Sequence, residues 1–166
     1  MKKYRVLIAV LFFLCAVSIV VMIICLNKTP TYKATFVPPK FDVLAKKGIP
    51  SVEQAEEYGL GTIEKDGIPY KTAICGKVIV RNQKAFIFFT NYEENTVWLK
   101  LRVLNVEGNT IAETGLIKPG EYLETVALFK PMENGEKVKL KIMAYEPDTY
   151  YSAGSITLNT IVQTGE

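Results

Sequence analysis

The chain has 166 residues, of which 49% are hydrophobic and 22% charged, with a formal net charge of +3. It contains no histidine, which removes Ser-His-Asp and Cys-His nucleophile pairs and most zinc sites together. Lys2, Lys3 and Arg5 precede the first apolar run and account for the whole positive excess, so the rest of the chain is formally neutral and carries no nucleic-acid signature.

The first predicted element is residues 6–26, "VLIAVLFFLCAVSIVVMIICL", which has no charge and only Ser18 as a hydroxyl. A helix rises about 1.5 Å per residue, so roughly 20 apolar residues cross a hydrocarbon core of about 30 Å, whereas the apolar part of a cleavable signal is roughly 7–15 residues. The expectation is a retained single-pass helix with the bilayer as its partner. The basic tail 1–5 then lies in the cytoplasm and the remainder outside the membrane. A lipoprotein signal does not fit, because Leu14 and Ile24 stand before Cys15 and Cys25 where a small residue is needed. Ala9, Ala16 and Ser18 offer small surfaces for helix contact, but no GxxxG pattern occurs.

Residues 27–40, "NKTPTYKATFVPPK", contain three prolines and no periodicity, as an extended stalk would. In 41–75, Asp42 is placed to cap a short turn ending at Gly48. Ser51 with Gln54 three residues on makes a capping box for a helix running to about Tyr58 and stopped by Gly59. This segment is expected to hold one or two short helices and irregular chain packed on the body that follows. Cys75 is the one cysteine beyond the apolar run, so it has no partner for an internal disulfide. It reads either as a small buried apolar side chain, the ordinary state of a free cysteine, or as a reactive or bridging thiol.

From Gly76 the period becomes two. Val97, Leu99, Leu101 and Val103 share one face of a strand, with Trp98, Lys100, Arg102 and Leu104 on the other. Val138, Leu140, Ile142 and Ala144 alternate with Lys137, Lys139, Lys141 and Met143. Ile156, Leu158 and Val162 line up with Thr160 as an exception. "AFIFFT" is apolar on both faces, as a central covered strand is. Gly108, Pro119-Gly120 and Asn134-Gly135 mark turns, read as hairpin turns. The expected fold is mainly β: an antiparallel β-sandwich of about seven strands over 76–166, preceded by the helix, stalk and short-helix segment.

The succession "NTVWLKLRVLNVEGNTI", "GLIKPGEYLETVAL" and "GEKVKLKIMAY" resembles bacterial immunoglobulin-like exported domains. With its leading apolar helix, the chain is similar to small single-pass surface proteins of Gram-positive gut bacteria of the Firmicute type. The resemblance implies an immunoglobulin-like sandwich displayed on the cell surface and assigns no catalytic residue. Neither a core cysteine pair nor an LPxTG-type sorting signal is present.

No phosphate-binding glycine loop, dinucleotide fingerprint or EF-hand spacing occurs. Glu93-Glu94 and Glu146 with Asp148 are the carboxylate pairs that glycoside chemistry would use, yet solvated loop acids are their ordinary reading. Two binding surfaces are expected instead. One is the loop "YEPDTYYSAG", with Tyr145, Glu146, Asp148, Tyr150 and Tyr151. It is read mainly as a structured closure, with its carboxylates and one tyrosine left for a ligand. The other is a basic face of Lys100, Arg102, Lys137, Lys139 and Lys141, suited to an anionic wall polymer or to an envelope protein, with a solvated lysine face as the plainer reading. The functional expectation is a non-enzymatic, membrane-anchored binding or assembly module that uses no metal or cofactor. The alternative is an accessory subunit of a secretion, conjugation or envelope complex, assembled through the helix.

Overall fold

In the computed structural model, residues 2–27, 36–64 and 66–165 are described. They form two compact units, Met1–Val37 and Pro38–Glu166. The first contains helix α1, Lys2–Asn27, which starts one turn earlier than the apolar run because lysine and arginine propagate a helix well. Within it, Lys3–Cys25 is long and apolar enough to cross a membrane, and none of it is buried within the protein. Such a helix is either a membrane anchor or a signal sequence. Ser18 Oγ donates to the Leu14 carbonyl at 2.8 Å, so the single hydroxyl of the run is satisfied inside the helix, as an apolar solvent requires. Residues 28–35, most of the expected stalk, lie outside the described residues.

The second unit is mainly β. Its elements are β1 (Lys46–Lys47), α2 (Val52–Glu57), β2 (Leu60–Ile63), β3 (Thr72–Cys75), β4 (Val78–Arg81), β5 (Lys84–Asn91), β6 (Trp98–Leu104), β7 (Thr110–Glu113), β8 (Glu121–Ala127), β9 (Lys137–Tyr145) and β10 (Ser152–Thr164). The expected count of seven strands is therefore too low among the described residues. The seven expected from Gly76 onward are β4 to β10, and three more precede them. Those three span only two to four residues each, too short for an alternation to show. The segment 41–75 thus contributes strands to the sheet itself, besides the capped helix. That helix is built as its capping box predicts: the Ser51 side chain accepts from Gln54 N, and the Gln54 side chain accepts from Ser51 N.

The strands form one curled sheet, ordered β1-β8-β5-β4-β10-β9-β6-β7, with β3 also on β5 and β2 on β3. The 13-residue β10 joins its two halves. Residues Ser152 to Ile161 pair antiparallel with β9, and Val162 to Thr164 pair parallel with β4. Inside the curl, Leu99, Leu101 and Val103 of β6 meet Leu140, Ile142 and Ala144 of β9 and Ile87 and Phe89 of β5, all buried. Thr160 is the polar exception on its face because its Oγ1 donates to the Gly76 carbonyl at 2.8 Å. The central position expected of "AFIFFT" is occupied by β5, between β8 on one side and β3 and β4 on the other. A bulge interrupts β5 between Phe86 and Phe89. There Phe88 takes φ +44° and lays its ring 4.7 Å from that of Tyr58, packing that offsets a backbone cost of about 1–3 kcal/mol.

Two of the expected hairpin turns have another role. Asn134-Gly135 does turn, with Glu136 N donating to the Glu133 carbonyl at 3.3 Å. However, β8 pairs with β5 while β9 pairs with β6 and β10, so this turn lies on a crossing between the halves. Pro119-Gly120 forms a turn with Gly120 at φ +76° and likewise leads from β6's side to β5's. Partner choice is a long-range property that a local turn signal does not encode. An additional turn, Asn82-Gln83, has both residues at positive φ (50° and 57°) and makes the tight hairpin between β4 and β5.

Asp42 does more than cap its turn. Its Oδ1 accepts from Leu44 N at 2.9 Å, and its Oδ2 accepts from Gly115 N at 2.8 Å. Any side chain at Gly115 would place a Cβ 2.5 Å from Asp42 N, so only glycine allows this approach. Buried amides fasten the same end of the sheet. Asn91 Nδ2 donates to the Val97 and Ile117 carbonyls at 2.9 and 3.1 Å, and Asn95 Nδ2 donates to the Lys71 carbonyl and to Asn91 Oδ1, both at 2.6 Å.

Candidate binding face

Opposite residues of neighbouring strands project to the same side of a sheet. Register pairs Trp98 with Tyr145, Lys100 with Met143, Arg102 with Lys141 and Leu104 with Lys139. It pairs Thr157 with Lys141, Asn159 with Lys139 and Ile161 with Lys137. Because the alternate residues of β6 and β9 are buried, all five expected cations lie on the outer face of the β7-β6-β9-β10 half, together with the rim of the 145–154 loop.

The five are not equivalent. Glu113 of β7 stands opposite Arg102 and serves two of them: its Oε2 lies 3.2 Å from Lys100 Nζ and accepts from Arg102 Nε at 3.1 Å. The Lys100 side chain is only 10% exposed, so it needs that carboxylate. Partial burial pushes the Glu113 carboxyl up. The hydrogen bonds and charges of Lys100 and then Arg102 outweigh this and hold it below its ordinary value. Lys137 and Lys139 are exposed and Lys141 half-buried. Among the described residues none of the three has a carboxylate within 4 Å. Beside them runs a groove of about 370 Å³ lined by Lys137, Lys139, Asn159 and the exposed apolar residues Val106 and Ile161.

The loop closes on itself. Glu146 N donates to the Tyr151 carbonyl at 2.8 Å, Tyr150 N to the Glu146 carbonyl at 3.0 Å, and Thr149 Oγ1 to Glu146 Oε2 at 3.3 Å. Asp148 and Tyr150 take positive φ (66° and 58°), and Gly154 reaches 105° where the chain re-enters β10. Tyr150 packs edge-on to Trp98 at 5.2 Å, Phe41 meets the same indole at 4.8 Å, and Lys118 Nζ sits 4.7 Å from the Phe41 ring centre. Tyr145 is half-buried, its hydroxyl 3.8 Å from Met143 Sδ. Tyr151 is 71% exposed, and Glu146 and Asp148 are also exposed.

Of the row Phe41–Trp98–Tyr150, only Tyr150 was among the expected site residues. The alternation had put Trp98 outward beside Lys100, which was the available signal; nothing local marked Phe41, from a segment far away in sequence, as its neighbour. Cys75 is buried, and its thiol donates to the Phe86 carbonyl at 3.0 Å. Burial pushes its pKa up to about 12, so at neutral pH it holds its proton and is a poor nucleophile.

No family model matches the chain, and no curated protein matches it. Among solved structures, it is similar to CopC from Methylosinus trichosporium OB3b, at 14% identity and a TM-score of 0.34, over 54% of this chain and 84% of that one.

Proposed function

We propose that the chain is a non-enzymatic, single-pass module of a Gram-positive cell envelope. Its N-terminus faces the cytoplasm, and its body, used as an immunoglobulin-like domain, is displayed outside. In this reading the row Lys137, Lys139 and Lys141 binds an anionic wall polymer rich in phosphate.

One observation carries the reading. Among the described residues, three cations stand in a row on a regular strand with no carboxylate within 4 Å, while the two beside them share Glu113. A polymer with regularly spaced charges matches such a row better than a single small anion does. The exposed Tyr151 and Asp148 at the far end of the face are the remaining contacts.

The test is retention of the full chain, held in detergent, on immobilised poly(glycerol phosphate). Retention is expected at low ionic strength and release near 1 M salt, where the Debye length falls to about 3 Å. Replacing Lys137, Lys139 and Lys141 with glutamate should abolish it. Retention that survives either high salt or the triple replacement refutes the reading. Protease added to intact cells should digest the body and leave the helix; an untouched body refutes the topology.

A further inference from the structure

The two halves of the curled sheet meet along two seams; among the described residues one is closed by main-chain hydrogen bonds and the other is open over part of its length. Along the closed seam, Leu99 and Ile117 exchange main-chain hydrogen bonds at 3.0 and 2.9 Å, and Phe129 N donates to the Ile111 carbonyl at 2.8 Å. Along the other, β2 and the first part of β10 flank a cleft of about 230 Å³ lined by Gly61, Ile63, Ile74, Leu140 and Leu158. It is bridged at one end by the bond from Thr160 to Gly76.

The direction of the main-chain groups along this seam follows from the ladder. Val162 N donates to the Glu136 carbonyl and Gly135 N to the Val162 carbonyl, both at 2.8 Å, so even-numbered residues of β10 direct N–H and C=O toward β9. Gly165 N donates to the Val80 carbonyl, so odd-numbered residues turn the other way. On that side β4 reaches only Val162 to Thr164. Thr157 and Asn159 therefore aim their main-chain groups into the cleft, with no ladder partner there among the described residues. In β2, Gly76 N donates to the Gly59 carbonyl at 3.0 Å, which directs odd-numbered residues to β3 and leaves Leu60 and Thr62 aimed at the cleft.

We propose that this seam accepts an extended strand of a partner polypeptide. The strand pairs along the Thr157–Asn159 edge of β10, with apolar side chains at alternate positions entering the cleft and carboxylates at the intervening positions facing outward. Unpaired N–H and C=O groups on a strand edge are the standard receptor for such a segment. Ile63, Ile74, Leu140 and Leu158 supply an apolar lining, and a Cβ at Gly61 would meet nothing within 4 Å, so there is room for an incoming side chain. The preference for carboxylates comes from charge. Lys141 and Lys139 stand directly opposite Thr157 and Asn159 on the outer face, with no carboxylate within 4 Å among the described residues. An added strand lies two strand spacings away, about 10 Å, within roughly one Debye length at 0.1 M salt.

The experiment uses the full chain in detergent and a fluorescent synthetic peptide alternating valine and glutamate, with a valine–lysine peptide as comparison. Saturable binding of the first, weaker binding of the second by roughly tenfold or more, and slowed amide exchange at Thr157 and Asn159 are expected. Asn159→Pro removes an N–H that has no ladder partner among the described residues, so it should cut affinity about tenfold or more and leave the melting temperature unchanged. Gly61→Leu should do the same by filling the cleft, and it decides the matter alone if the proline variant does not fold. Equal binding of the two peptides, no binding, or binding indifferent to both substitutions overturns the proposal. Self-association of the chain that Asn159→Pro abolishes would also overturn it, making a second copy the occupant. The polymer assay above reads the lysine row separately, so either idea can fail alone.

Discussion

The outer face carries two groups of cations on neighbouring strands, and they differ in what they are coupled to. Lys100 and Arg102 share Glu113, and the near burial of Lys100 makes that carboxylate part of the fold. Lys137, Lys139 and Lys141 belong to the same sheet face, yet no carboxylate among the described residues reaches them. Equal charges on one surface can thus serve stability in one place and remain open to a partner in another. What separates them is the strand that happens to lie alongside.

The largest expected effect tests the coupled group. Glu113→Ala strands the nearly buried ammonium of Lys100 and should destabilise the body by about 1–3 kcal/mol; the upper end for a broken buried pair is discounted because Glu113 is itself 37% exposed. Chemical unfolding of both proteins measures it, and an unchanged midpoint would erase the distinction between the groups. Next comes affinity at the open group. Lys137, Lys139 and Lys141 all replaced by alanine should weaken polymer binding roughly tenfold at low salt, with a melting temperature close to the parent's.

A smaller effect is the pH dependence of the coupled group. Because the folded pKa of Glu113 lies below its ordinary value of 4.5, its ionised form stabilises the fold. That contribution is fully present above the ordinary value and is lost as pH falls through the folded one. Glu113→Gln should flatten the stability profile in that acidic window, whereas alanine at the three open lysines should not alter it. The smallest effect distinguishes the loop tyrosines. Tyr150→Ala should cost about 1 kcal/mol through its edge contact with Trp98, and Tyr151→Ala less than about 0.5 kcal/mol, by thermal unfolding.

Alternation alone placed the inward residues of β6, β9 and β10, and the same period put Lys137, Lys139 and Lys141 outward. It was silent on which strands become neighbours. Glu113 sits in "TIAETG", where nothing local says that its carboxylate will face Lys100. Lys46–Lys47 is too short for any period to declare it a strand. The crossings at Pro119-Gly120 and Asn134-Gly135 look locally like hairpin turns, because a turn reports a change of direction and not the identity of the next partner. The loop was legible as a closure from Pro147 and Gly154, but the aromatic contact that anchors it uses Trp98, about fifty residues earlier in the sequence.

Strand β10 belongs to both halves of the sheet, and this bears on the order of events when the chain emerges N-terminus first. Until Ser152 to Thr164 arrive, β4 and β9 each lack a neighbour, and the curl has no hinge to draw it shut. The lock is then supplied by a strand made after both of its neighbours, so a ribosome that pauses before Ser152 holds an unsealed intermediate with two sticky borders.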